Sequence, residues 1–121
     1  MTSTRSAAQP PPAEVGADSF EVTVVIHDED DVVVSIRGEI DLGSAPRLWK
    51  ALDEAIPETK QRFVIDLGNT AFVDSTALAV FVRAFKRLRH RGAELVLRSP
   101  RTNVRNVLHI TGLDQVIKIE P

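Results

Sequence analysis

The chain has 121 residues, 43% of them hydrophobic and 26% charged, the proportions of an ordinary globular domain rather than of a disordered or membrane-embedded chain. Fifteen Lys and Arg set against 17 Asp and Glu leave a net charge of −2, so no overall basic field recommends nucleic acid as a direct partner. Cysteine is absent, which excludes disulfides and thiolate metal sites; no run approaches the ~20 apolar residues of a membrane span, and a cytoplasmic protein without membrane association is expected.

Residues 1–18 are rich in Ser, Thr, Ala and Pro, include Pro10-Pro11-Pro12, lack the apolar centre of a signal peptide, and are expected to form a flexible leader. A single domain is expected over 19–121, long enough to bury about two-thirds of its unfolded surface. It opens with two β-branched runs, 20–26 and 32–36, joined by Asp28-Glu29-Asp30-Asp31. The spacing predicts a hairpin, and the acids read as its solvated turn rather than a metal site, because no further ligands lie nearby. Gly38-Glu39-Ile40-Asp41-Leu42-Gly43 then leads to Ser44-Ala45-Pro46, with Ser44 expected as N-cap and Pro46 in the first turn of a helix. Leu48, Leu52, Ala55 and Ile56 recur at helical spacing until Pro57 stops the pattern.

Phe63-Val64-Ile65 has the wholly apolar character of a buried strand, with Asp66-Leu67-Gly68-Asn69 read as its exit. A second helix is expected from about Ser75 to Gly92. On a helical wheel Leu78, Phe81, Val82, Phe85 and Leu88 share the core side, and Thr76, Ala79, Arg83, Lys86, Arg87 and His90 the opposite side. Lys86, Arg87, Arg89 and Arg91 suit the negative end of the helix dipole, and Gly92 suits a C-cap. Leu95-Val96-Leu97 predicts a strand, Ser99-Pro100 the start of a helix carrying Val104, Val107 and Leu108, and residues 116–119 a last strand. A hairpin followed by alternating helices and strands implies an α/β fold with a mainly parallel mixed sheet and helices packed against it.

Catalytic chemistry finds little support. Neither GxxxxGK[ST] nor GxGxxG is present, His27, His90 and His109 are dispersed, and no Gly-x-Ser-x-Gly surrounds Ser75. No catalytic residue, cofactor or metal is assigned. What stands out is polar Asp74-Ser75-Thr76 between Phe72-Val73 and an amphipathic helix. Either Asp74 or Ser75 as N-cap would contribute about 1 kcal/mol. The same helix start also suits a phosphate, since its N–H groups and dipole favour an anion.

These residues carry a resemblance. Gly38-Glu39-Ile40-Asp41 with Ala45-Pro46, the strand Val64-Ile65-Asp66-Leu67, Phe72-Val73-Asp74-Ser75-Thr76-Ala77-Leu78, and Thr111-Gly112-Leu113-Asp114 fall in the order and spacing of STAS domains, and the chain most resembles bacterial anti-sigma factor antagonists. The resemblance runs from about 20 to 119. It implies a non-enzymatic partner switch in which the unphosphorylated chain binds an anti-sigma factor with serine kinase activity and frees a sigma factor. Phosphorylation at Ser75 by that kinase then abolishes binding, and a PP2C-type phosphatase resets the system. Asp41, Asp74, Ser75, Thr76, Ala77, Ala79 and Arg83 are the expected contacts, Asp41 reading equally well as a loop carboxylate that organises the Gly43-Ser44 turn. Ala77 stands where the family usually has glycine and Ala79 where it often does, changes that favour a helix by about 1 kcal/mol per site.

Physically, a phosphate on Ser75 adds about −1.5 to −2 charges beside Asp74 at pH 7. The helix terminus is expected to accommodate it while a docked partner is repelled. Two other readings compete: the same fold as a constitutive scaffold or transporter-associated subunit, and a receiver domain using Asp66, which would need a helix after its last strand.

Overall fold

The computed structural model describes residues 2–4, 20–27 and 31–121. Among them six strands form one sheet, in sequence order across it: β1 (Thr2–Thr4), β2 (Glu21–His27), β3 (Asp31–Ile40), β4 (Arg62–Val73), β5 (Glu94–Arg98) and β6 (Lys118–Glu120). The first three pair antiparallel and β3 to β6 are parallel. Each parallel step is bridged by a helix, α1 (Ala45–Ala55), α2 (Ser75–His90) or α3 (Thr102–Ile110), because a tight turn cannot reverse the chain between parallel neighbours.

Period-two alternation sets the core. Val22, Val24 and Ile26 of β2 face Ile36, Val34 and Val32 of β3, and Phe63 and Ile65 extend the layer beside Val32 and Val34. Leu95 and Leu97 continue it on β5. Leu48, Ala51, Leu52 and Ala55 of α1 and Ala77, Phe81, Ala84 and Leu88 of α2 close over this layer in a single cluster. Each large side chain so buried stabilises the fold by about 1.5–3 kcal/mol. On the alternate positions Arg62 pairs with Asp31 (3.7 Å) and Glu120 (3.5 Å), and Arg98 with Glu120 (3.6 Å). Partly exposed and too long for hydrogen bonds, these ion pairs contribute little each. Between them Val64 and Val96 are fully buried, as the continuous apolar run at 63–65 predicts.

Several expectations are corrected. Thr2–Thr4, placed in the leader, pair with β2, whose outer backbone groups would otherwise lack partners along that stretch; the rest of 1–18 and residues 28–30 of the acidic turn lie outside the described residues. Residues 66–69 are not a strand exit. The Asp66 carboxylate folds back on the Gly68 N–H (2.9 Å), the Thr70 hydroxyl donates to Ile36 O (2.8 Å), and two register shifts let β4 run on to Val73 beside Ile40.

Pro57 sits within a 3₁₀ turn, Ile56–Glu58, that prolongs α1. Thr102, not Ser99, begins α3, because the Ser99 N–H is held by Glu120 O (2.8 Å) with its backbone left-handed at φ 56°. A 3₁₀ turn at Leu113–Gln115 delays β6 and leaves Val116 exposed.

The buried stripe of α2 is also turned by almost one residue position from the expected one. Ala77, Val80, Phe81, Ala84 and Leu88 lie innermost, while Leu78 and Phe85 pack only partly. Small side chains allow close approach, so alanines take the centre of the contact and larger residues flank it. At the far end Gly92 (φ 75°) closes the helix: Gly92 N–H donates to Arg89 O (3.0 Å) and Ala93 N–H to Leu88 O (2.9 Å).

Candidate partner-binding and modification site

The parallel strands β3 and β4 end side by side, Ile40 opposite Val73, and each releases a short polar segment at the same edge of the sheet. Open α/β sheets place ligands at such carboxyl ends. From β4 the chain enters Asp74, the extended N-cap of α2 (φ −117°, ψ −170°). Its N–H donates to Ile40 O (3.2 Å), and its Oδ1 accepts from the N–H groups of Thr76 (2.8 Å) and Ala77 (3.2 Å) and from the Thr76 hydroxyl. Burial alone would raise the Asp74 pKa. The hydrogen bonds from the Thr76 hydroxyl and from the Ala77, Thr76 and Leu42 N–H groups outweigh it and hold the carboxyl below its ordinary 3.8.

From β3 the chain turns through 41–44. Asp41 Oδ1 accepts from the N–H groups of Gly43 (3.0 Å) and Ser44 (3.1 Å), and its carbonyl accepts from Ala45 N–H (2.8 Å). Ser44 occupies the N-cap position of α1 but does not cap it. Its hydroxyl donates to Glu39 O (2.8 Å) and accepts from Asp41 N–H (3.0 Å), which corrects the capping role expected for it. Of the two readings of Asp41, the loop-organising one is visible in these bonds. The Leu42 N–H, directed at the Asp74 carboxyl and helping to lower its pKa, links the two segments electrostatically.

Between them lies an open groove of about 680 Å³ with Glu39, Asp41 and Asp74 on its acidic side, Phe20 and Leu42 supplying apolar surface, and Arg47 as its cation. The Arg47 guanidinium rests over the Phe20 ring at 4.9 Å. Ser75 is exposed at the first helical position, and among the described residues its hydroxyl has no hydrogen-bond partner. Ala77 does not reach the surface: its methyl is fully buried in the core, so it cannot serve as the contact expected of it. Ala79 and Arg83 are exposed farther along the same helix, with Arg83 stacked on Trp49 at 4.1 Å.

The apolar members escaped sequence reasoning. Leu42 is 74% exposed and Phe72 46%, both beside Asp74 in the chain or in space. A leucine inside the polar turn at 41–44 is the signal that could have found the first; Phe72 sits where strand alternation and helix onset overlap, so no periodicity marks it. Chemically the site offers a hydroxyl to which no base is hydrogen-bonded among the described residues, the neighbouring Asp74 Oδ1 being engaged by Thr76 and Ala77, and among the described residues no group of three His, Asp or Glu could hold a metal.

Residues 21–121 match the sequence pattern of the STAS domain. The chain belongs to the STAS-domain family. It is 36% identical over 104 residues, 84% of this chain and 90% of the relative, to the anti-sigma-B factor antagonist of Listeria monocytogenes. A crystal structure of an anti-sigma factor antagonist from Mycobacterium paratuberculosis superposes with a TM-score of 0.73 at 34% identity, covering 86% of this chain and 87% of that one. The antagonist SpoIIAA in its unphosphorylated form shares the fold, with a TM-score of 0.70 at 18% identity over 81% of this chain and 86% of that one.

Within this STAS domain the receiver reading loses its footing. Asp66 lies inside β4 with its carboxylate bonded to the Gly68 N–H, seven residues short of the strand's end at Val73, in a stretch that still pairs with β3. Among the described residues no helix is long and apolar enough to cross a membrane.

Proposed function

We propose that this STAS domain is an anti-sigma factor antagonist that works by partner switching. In its unphosphorylated form it binds an anti-sigma factor with serine kinase activity and so releases a sigma factor. ATP-dependent phosphorylation at Ser75 ends the binding, and a PP2C-type phosphatase restores it. The setting is the cytoplasm, and the chain performs no catalysis of its own.

The observation that carries this reading is the exposed Ser75 hydroxyl, without a hydrogen-bond partner among the described residues and next in the chain to Asp74 of the groove. The helix terminus does not offer the modified serine the berth expected of it, because Asp74 already accepts the Thr76 and Ala77 N–H groups. A phosphate there remains outside, adding about −1.5 to −2 charges to a lip formed by Glu39, Asp41 and Asp74. Folding is left alone and docking is opposed, since like charges brought together at an interface cost several kcal/mol.

The test is incubation with an anti-sigma kinase and ATP, followed by mapping of the phosphate and measurement of complex formation. Ser75→Ala is expected to resist phosphorylation and to bind constitutively, and Ser75→Glu to bind weakly. Normal phosphorylation of Ser75→Ala, or wild-type binding by Ser75→Glu, rules the switch out. Full function in cells carrying Ser75→Ala would favour a constitutive scaffold.

A further inference from the structure

The segment from Ser75 to Ala93 contains Arg83, Lys86, Arg87, Arg89 and Arg91 and not one acidic residue. At 100° per residue Thr76, Ala79, Arg83, Lys86, Arg87 and His90 fall on one face of α2, and apart from half-buried Thr76 all of them are exposed. Arg83, Lys86, Arg87, His90 and Arg91 border a shallow groove of about 410 Å³.

The helix dipole accounts for Arg87, Arg89 and His90 in the last turn and for Lys86 just before it, but fades beyond, leaving Arg83 outside its reach. Several of the cations are also held in place. Arg83 stacks on Trp49 at 4.1 Å, Arg87 pairs with Asp53, and Arg91 donates to Pro57 O (3.0 Å) and Thr59 O (3.3 Å). Side chains already ordered lose less freedom when they bind. At the other end of the same helix the surface is acidic, with Glu39, Asp41 and Asp74 around the groove.

We infer that this face of α2 is a second part of the docking surface, and that it receives an acidic patch on the same partner that covers Ser75. The inference rests on the proposed antagonist role and adds the partner's charge pattern. With a rise of about 1.5 Å per residue, the acidic patch lies roughly 12–24 Å from the point where the partner meets Ser75. Small Ala79 between the two ends lets a partner surface run along the helix without obstruction.

Stopped-flow association with an anti-sigma factor of the kinase class, followed across ionic strengths, tests this. Lys86→Glu is expected to slow association about threefold or more at low salt, and Lys86→Glu/His90→Glu about tenfold, with a flatter salt dependence and little change in dissociation. Lys118→Glu, a change in net charge equal to that of Lys86→Glu at an exposed position of β6, should associate like wild type. Acrylamide quenching of Trp49, the single tryptophan, should fall when the complex forms. Wild-type association by the α2 variants, an equal slowing by Lys118→Glu, or unchanged quenching overturns the inference while leaving the antagonist role intact. Failure of the wild type to bind any such factor removes both.

Discussion

Thr76 is bound to Asp74 through both of its donors, the backbone N–H at 2.8 Å and the side-chain hydroxyl, each meeting the same Oδ1. Ser75 stands between them with its hydroxyl unbonded and exposed among the described residues. Two adjacent hydroxyls therefore differ in availability, one committed to the helix cap and one open to a modifying enzyme. In a kinase assay with phosphopeptide mapping, wild-type phosphate is expected on Ser75 alone. Ser75→Ala should incorporate less than about one-hundredth as much, and efficient transfer to Thr76 in that variant would contradict the assignment of roles.

Asp74 should contribute to stability in a pH-dependent way. Replacing it with Ala removes the cap and is expected to cost about 1 kcal/mol at pH 7, read as a shift in urea midpoint. Its carboxyl is held below the ordinary 3.8 in the fold, so the folded state favours the charged form. The stabilisation is thus present above pH 3.8 and lost as pH falls below it through the folded value. Asp74→Asn cannot titrate there. The wild-type advantage over Asp74→Asn should shrink steadily from pH 5 to about 2, and a difference that grows on acidification would invert the predicted sign.

Leu42 should matter to binding and not to folding. At 74% exposure its side chain has little to lose on truncation, yet it lines the acidic groove together with Asp74, the neighbour of the proposed modification site. Leu42→Ala is expected to leave the thermal midpoint within about 1 °C while weakening association with an anti-sigma factor about tenfold, a cost near 1.4 kcal/mol. Calorimetric titration provides the readout.

Much of this architecture was legible because periodicity and chemistry agreed. The runs at 20–26, 63–65 and 95–97 announced strands, and Gly92 marked the end of α2 where a positive φ is required. Misreadings arose where a polar local sequence was overruled by long-range pairing. Asp66-Leu67-Gly68-Asn69 resembles a turn in isolation, but pairing with β3 carries the strand on to Val73. Ser44 has the chemistry of a helix cap and instead closes its own loop through Glu39 O. Ser75 and Asp74 could each have capped α2 on sequence grounds, and only the geometry assigns the work to Asp74. Leu42 and Phe72 were invisible as surface residues because hydrophobicity alone argues for burial.

Ala77 gives the sharpest separation between a residue near the site in sequence and one that acts there. Its methyl is fully buried, and it begins the small-residue contact that Ala84 continues one stripe along. Replacement by glycine removes a buried methyl and lowers helix propensity. The latter alone costs about 1 kcal/mol, and loss of the methyl adds about 0.8 kcal/mol. The expected total is about 1–2 kcal/mol, measured by chemical denaturation. Because the side chain faces inward, the phosphorylation rate of Ser75 and partner affinity at a temperature well below the midpoint should both stay within about twofold of wild type. If Ala77→Gly instead alters affinity strongly while stability holds, the helix start itself moves on binding, and Ala77 acts by restraining that movement.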